Sequence, residues 1–189
     1  MKKMPVAAGK SSFDLIDRDM LFSQLQLTPG TVFLDLACGG GRYSLEASKR
    51  ITGTGEVHAV DLWEDGVDIL NETVREHHVT NIHTVIADIT KPLPLTEGFY
   101  DVCLLATVLH DLTIDERDIT LREVFRLLKP GGCLAVVEFK KIANGPGPPV
   151  MARLSDQEVK QQIMPHGFAF IGYSDLGESV YLCSFKKEG

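Results

Sequence analysis

The sequence predicts a single α/β domain, doubly wound, in which a mostly parallel sheet is covered by helices on both faces. Three observations carry the prediction. Apolar, β-prone runs alternate with helical patterns from Thr31 to Phe139, and such alternation builds a parallel sheet. The first run, Thr31-Val32-Phe33-Leu34-Asp35-Leu36, turns through Ala37-Cys38-Gly39-Gly40-Gly41 directly into a helical pattern. At 189 residues the chain is long enough for one substantial core and short for two.

Taken in order, residues 1–12 read as a flexible tail or lid and 13–189 as the domain. Ser12 is placed to cap a helix over about 13–25, with Phe13, Ile16, Met20 and Leu21 on its apolar side. Thr28-Pro29-Gly30 breaks that helix and launches the first strand. A helix over 42–51 closes at Thr52-Gly53-Thr54-Gly55, and the strand over 56–60 ends at Asp61. A helix over about 63–78 leads to a strand over 81–87 that ends at Asp88. Pro92-Leu93-Pro94 is a loop before the strand over 100–106. Asp115 is placed to cap a helix running to Leu128, after which Lys129-Pro130-Gly131-Gly132 makes a turn. The strand over 133–139 is nearly all apolar. Residues 140–154, rich in Gly and Pro, interrupt the alternation and suit a movable loop. Ser155 and Glu158 stand at capping-box spacing before a last helix. Runs over 168–173 and 179–185 make a terminal hairpin around Asp175-Leu176-Gly177.

Composition excludes several function classes. A net charge of −7 argues against a broad nucleic-acid or acidic-membrane surface. No apolar run approaches the roughly 20 residues that span a bilayer. The basic start, Met1-Lys2-Lys3-Met4-Pro5, is not followed by the apolar stretch of a secretory signal. Cys38, Cys103, Cys133 and Cys183 are widely spaced, which favours buried free thiols in a reducing cytoplasm over disulfides or zinc. The six histidines form no ligand pattern along the chain; His77 and His78 would diverge by about 100° on a helix.

The glycine turn is built for a nucleotide-type cofactor, because its glycines admit a ligand and the helix start offers unpaired N–H groups. Asp35 bears on which one. A carboxylate aimed at this turn would repel a dinucleotide's pyrophosphate, whereas S-adenosylmethionine (SAM) presents an ammonium and a sulfonium. The dinucleotide fingerprint also fits poorly, since Ser44 stands where its third Gly or Ala would be.

The stretch resembles motif I of the class I SAM-dependent methyltransferases, with Asp35, Ala37, Gly39 and Gly41 on the motif positions and Ala37 in place of the usual glycine. The resemblance extends through the strand ends at Asp61 and Asp88, the Lys-Pro-Gly-Gly turn and the terminal hairpin. It implies a Rossmann-like sheet of seven strands in the order 3-2-1-4-5-7-6, the last antiparallel. Leu109-His110-Asp111, the segment from Leu121 to Gly132, and Val137-Glu138-Phe139 look most like the small-molecule branch that includes the UbiE-type quinone-biosynthesis enzymes.

The resemblance gathers Asp35, Ala37, Cys38, Gly39, Gly41, Asp61, Leu62, Asp88, Ile89 and Ala106 around SAM. Asp61 also follows Gly39 at about the 20-residue spacing from which a carboxylate reaches ribose hydroxyls; capping the next helix is the alternative, and one carboxylate can do both. Asp88 matches the position that receives the adenine amino group; an ordinary loop acid is the alternative. Trp63 either flanks the adenine or packs in the core. His110, oriented by Asp111 or Asp115, is the candidate general base, with a packing or loop-capping histidine as the alternative. No metal is expected.

The expected acceptor is a small, partly apolar organic molecule. No Asn/Asp-Pro-Pro-Tyr sequence follows the fourth strand, there is no basic patch for RNA, and the cysteines of an arsenite methyltransferase are missing. A SAM-binding sensor or partner subunit without catalysis is the competing class, and a nicotinamide oxidoreductase is disfavoured by Asp35. A cytoplasmic location is expected, and a homodimer is compatible with this reading.

Overall fold

The computed structural model describes residues 8–189. Seven strands form one sheet: β1 (Val32–Leu36), β2 (Glu56–Asp61), β3 (Ile82–Ile86), β4 (Tyr100–Ala106), β5 (Leu128–Phe139), β6 (Phe168–Asp175) and β7 (Val180–Lys187). Their order is β3-β2-β1-β4-β5-β7-β6, and β7 runs antiparallel to both its neighbours, as the resemblance implied. The helices are α1 (Arg18–Leu25), α2 (Arg42–Arg50), α3 (Glu64–Glu76), α4 (Ile114–Leu127) and α5 (Asp156–Ile163).

The period-2 alternation of the strands divides the core into two layers. Phe33, Leu104, Ala135 and Val137 pack against Leu21 and Phe22 of α1, Ala47 of α2 and Leu70 of α3. Their neighbours Leu34, Leu105, Leu134 and Val136 face the other way, onto Leu121 and Val124 of α4 and Val159 and Ile163 of α5. Every residue of β1 is buried, as a central parallel strand covered on both faces requires. Among the described residues no helix is long and apolar enough to cross a membrane.

Three local readings of the sequence are corrected. The helix expected over 13–25 is broken: Phe13–Leu15 is a short 3-10 turn, and α1 begins at Arg18. Its cap is Asp17, whose Oδ1 accepts from the Met20 N–H at 2.9 Å; the Ser12 hydroxyl is taken by Tyr43 (2.8 Å) and Thr107 (3.1 Å) instead. Helix α4 is capped by Thr113 in a capping box with Glu116, so Asp115 falls in the first turn, where its charge favours the helix dipole. Lys129-Pro130-Gly131-Gly132 is a bulge within β5 rather than a separate turn, since Tyr100 pairs with Leu128 but Val102 pairs with Cys133. The expected capping box at Ser155 and Glu158 is present.

The Gly/Pro-rich loop after β5 is wrapped around one cation. Arg153 is 3 % exposed and donates to the carbonyls of Lys140 (2.9 Å), Ile142 (3.2 Å), Gly145 (3.1 Å) and Pro148 (2.9 Å). A planar guanidinium reaches all four; an ammonium lacks the fork. Arg153→Lys should therefore lower the unfolding free energy by about 2 kcal/mol, and by more if two carbonyls are left unpaired. Urea unfolding measures the loss, and hydrogen exchange should accelerate over 140–150. Unchanged stability and exchange would refute the anchoring role.

Candidate active site

The parallel register brings four strand ends level. Leu36 pairs with Val60 on one side and Leu105 on the other, and Asp61 pairs with Ile86. Chemistry in an open parallel sheet collects at this carboxyl edge.

Asp35 lies on β1 just beneath the glycine turn and is 1 % exposed. Its Oδ2 accepts from the Ser44 hydroxyl at 2.5 Å, while its buried Oδ1 has no partner among the described residues. Burial pushes its carboxyl up to about 7; the Ser44 hydrogen bond works against this, and the Asp61 charge adds to it. A carboxylate so placed asks for a donor or a cation on its free side.

The turn above it depends on left-handed backbone. Ala37 (φ +63°), Gly39 (φ +55°) and Gly41 (φ +74°) all adopt it. Gly41 also needs its missing Cβ, which would lie 2.5 Å from a methyl carbon of Leu70 on α3. At Gly39 and Gly40 an added Cβ would meet nothing within 4 Å, so the outer side of the turn is open. Asp61 holds it in place: one oxygen accepts the Gly39 N–H and the other the Trp63 N–H, each at 2.7 Å. Both readings of Asp61 are compatible with this geometry, because each carboxylate oxygen keeps a second lone pair.

Asp88 stands after β3 with Oδ1 accepting from the Thr90 N–H (3.0 Å) and hydroxyl (2.6 Å) and Oδ2 paired with Lys91 (3.0 Å). Partial burial pushes its carboxyl up, but Thr90 and Lys91 outweigh this and hold it below the ordinary value. Ile89 is buried beside it, Leu62 is exposed after β2, and Ala106 ends β4 half-buried. The residue after Ala106, Thr107, is itself left-handed at φ +53°, an uncommon state for a β-branched side chain.

His110 sits in the 3-10 turn Leu109–Asp111 after β4. Its partner is Glu138, a fully buried glutamate near the end of β5. Nδ1 lies 2.7 Å from one Glu138 oxygen, and the backbone N–H donates to the other at 3.2 Å. Asp111 is 3.6 Å from Nε2, beyond a hydrogen bond but close enough for its charge to act on the ring, and no hydrogen bond joins Asp115 to His110 among the described residues, so the hydrogen-bonding partner is Glu138. Burial lowers the histidine's pKa, but the bond to Glu138 and its charge overcome this and raise it. Glu138 left one signal in the sequence: it is the lone charge in the apolar run Val136-Val137-Glu138-Phe139.

The chain before α1 crosses this edge. An added Cβ at Gly9 would lie 3.7 Å from the Trp63 ring, and Ser12 bonds both Tyr43 and Thr107. Asp14 pairs with Arg42, and the Phe13 ring meets Tyr43 edge-on at 5.0 Å. The lid expected of residues 1–12 lies outside the described residues up to residue 7.

Comparison with known proteins points the same way. A family model described as a methyltransferase domain matches residues 33–132, more than half of the chain. The ubiquinone/menaquinone biosynthesis C-methyltransferases UbiE of Vibrio parahaemolyticus and Ectopseudomonas mendocina are 32% and 33% identical over 114 and 129 residues, or 60% and 68% of this chain. These matches span 43% and 48% of the relatives, so the chain matches about half the length of either. A SAM-dependent methyltransferase structure from Aquifex aeolicus superposes with a TM-score of 0.83 at 25% identity, covering 93% of this chain and 92% of that one. The glycine turn beneath which Asp35 is buried, the level strand ends and these matches lead to one conclusion: the chain belongs to the class I SAM-dependent methyltransferases and resembles their UbiE type.

Proposed function

We propose that this protein transfers the methyl group of SAM to a small, partly apolar organic acceptor. The observation that carries the reading is the buried, unpartnered Oδ1 of Asp35 beneath an open glycine turn. That oxygen suits the ammonium of SAM and opposes a pyrophosphate. Bound there, SAM supplies a methyl group activated by a sulfonium.

The remaining residues then take these roles. Asp35 receives the ammonium, and the backbone of Ala37, Cys38, Gly39 and Gly41 lines the cofactor. Asp61 turns its spare lone pairs to the ribose hydroxyls while holding the turn. Leu62, Asp88 and Ile89 receive the adenine, and Ala106 forms the wall toward the methyl group. The described part of the tail, residues 8–12, and the loop 140–154 close the site against water, which would otherwise compete with the acceptor.

The relatives are named as C-methyltransferases. A carbon that gains a methyl group must also lose a proton, and we assign that proton to His110. With Nδ1 tied to Glu138, Nε2 is the nitrogen left to accept it. A second reading, a SAM-binding sensor or partner subunit, is favoured by the side-chain exposure of His110, only 4 %. The four free cysteines suit a reducing cytoplasm, and the protein acts there on small molecules, alone or as a homodimer.

Two expectations test the assignment. Asp35→Asn should weaken SAM binding by about 1.5–3 kcal/mol, the range for hydrogen bonds to charged groups. The same variant should melt higher than the parent at pH 8 without ligand. The sign follows from the raised pKa: between the ordinary 3.8 and about 7 the folded chain holds a proton that the unfolded chain releases. Stability therefore falls as pH rises through that window, by about 4 kcal/mol in all, and the amide escapes that loss. Unchanged SAM affinity, by calorimetry, would remove Asp35 from the site.

The second expectation concerns turnover with an acceptor found by screening. The rate should rise with pH through a midpoint above the ordinary histidine value of 6.5, because Glu138 favours imidazolium and the base works unprotonated. Glu138→Gln should move that midpoint down, and His110→Ala should lower kcat by about 10²–10⁴ while SAM affinity holds. Full activity in His110→Ala would leave the histidine with a purely structural role.

A further inference from the structure

We propose that Glu56, His58 and His83 form a metal site for a zinc-like divalent ion, separate from the cofactor site. One ligand atom from each residue lies within 4.8 Å of the other two. His58 Nε2 and a Glu56 oxygen are 3.2 Å apart, close to the separation of about 3.3 Å between two ligands bonded at about 2.0–2.1 Å to a tetrahedral zinc. His83 is exposed, so its ring can swing the remaining distance by a rotamer change.

The register explains how residues so far apart in sequence meet. Glu56 and His58 are two apart on β2 and point to the same face. His58 and His83 are direct partners across the parallel β2–β3 pair, with ring centroids 5.2 Å apart. Reading the histidines along the chain hides this pattern.

The other ring nitrogen of His58 is also provided for. Nδ1 lies 3.0 Å from the hydroxyl of Tyr100, which is 1 % exposed, and the rings of Phe99 and Tyr100 pack edge-on against the imidazole. A ligating histidine commonly donates its second N–H to such an acceptor, and the ion would then take the Nε2 lone pair in place of its present contact with Glu56. Two imidazoles and a carboxylate form a donor set suited to zinc and open at the fourth position; magnesium and calcium prefer oxygen.

The cluster lies at the amino ends of its strands, whereas the cofactor site lies at the carboxyl ends. From Glu56 to Asp61 along β2 is about 16 Å at about 3.3 Å per residue. The ion would therefore act on β3, the edge strand of the sheet, by clipping it to β2.

The test is calorimetric titration of tag-free, chelator-treated protein with zinc chloride, with metal content measured after dialysis. The proposal expects one ion per chain and a higher melting temperature with zinc. His83→Ala and Glu56→Gln should each weaken zinc binding by at least about a hundredfold, and Tyr100→Phe by about 10–100-fold. His78→Ala should bind like the parent, and SAM affinity should be unaltered in His83→Ala. Absence of zinc binding, or binding that survives either His83→Ala or Glu56→Gln, would overturn the proposal.

Discussion

The proposed cofactor site depends on a carboxylate held where water cannot reach it. Asp35 is placed on the central strand, with one oxygen satisfied by Ser44 and the other by nothing among the described residues. Burying a group this way costs stability, and the rise of its pKa to about 7 expresses that cost. The rest of the domain is arranged so that the cost is tolerated. Strands on both sides of β1 bury it completely, and two core layers hold the sheet from either face. A site designed only for stability would carry an apolar residue here.

Around this group, two residues at the carboxyl edge of the sheet carry strained backbone. Ala37 and Thr107 both occupy left-handed backbone, which costs about 1–2 kcal/mol for a residue with a Cβ. Each is held by neighbours. The N–H of Cys38, after Ala37, bonds to Val60 at 3.0 Å, and the N–H of Thr107 bonds to Val137 at 2.7 Å. Asp61 adds the cross-link between the glycine turn and α3, and Ser12 bridges Tyr43 to Thr107. These contacts hold the edge in shape before a ligand arrives.

Much of this was legible in the sequence because it is local. Alternating apolar residues and a glycine turn announce strand, loop and helix within a dozen positions, and the strand-end acids fall at the right edge once the strands are parallel. What was not legible depends on contacts between distant segments. Ser12 has the chemistry of a helix cap, but Tyr43 and Thr107 compete for its hydroxyl, and Asp17 caps α1 instead. Glu138 stands out as a charge in an apolar run, but nothing near it in sequence reveals that His110 faces it across β4 and β5. The ordering of 140–154 is likewise hidden, since it rests on Arg153 reaching back to four carbonyls.

The central claim is that the free oxygen of Asp35 awaits the cation of SAM. Its most direct test is the proton balance of SAM binding, obtained by calorimetry at pH 6.5 in buffers of different ionisation enthalpy. Without ligand, the Asp35 carboxyl, with its pKa near 7, is mostly protonated at that pH. A cation beside it favours the charged form and expels the proton. The account predicts net release of roughly half a proton or more per SAM bound, and loss of that release in Asp35→Asn. Binding with no proton released, or with the same release in the variant, would contradict it.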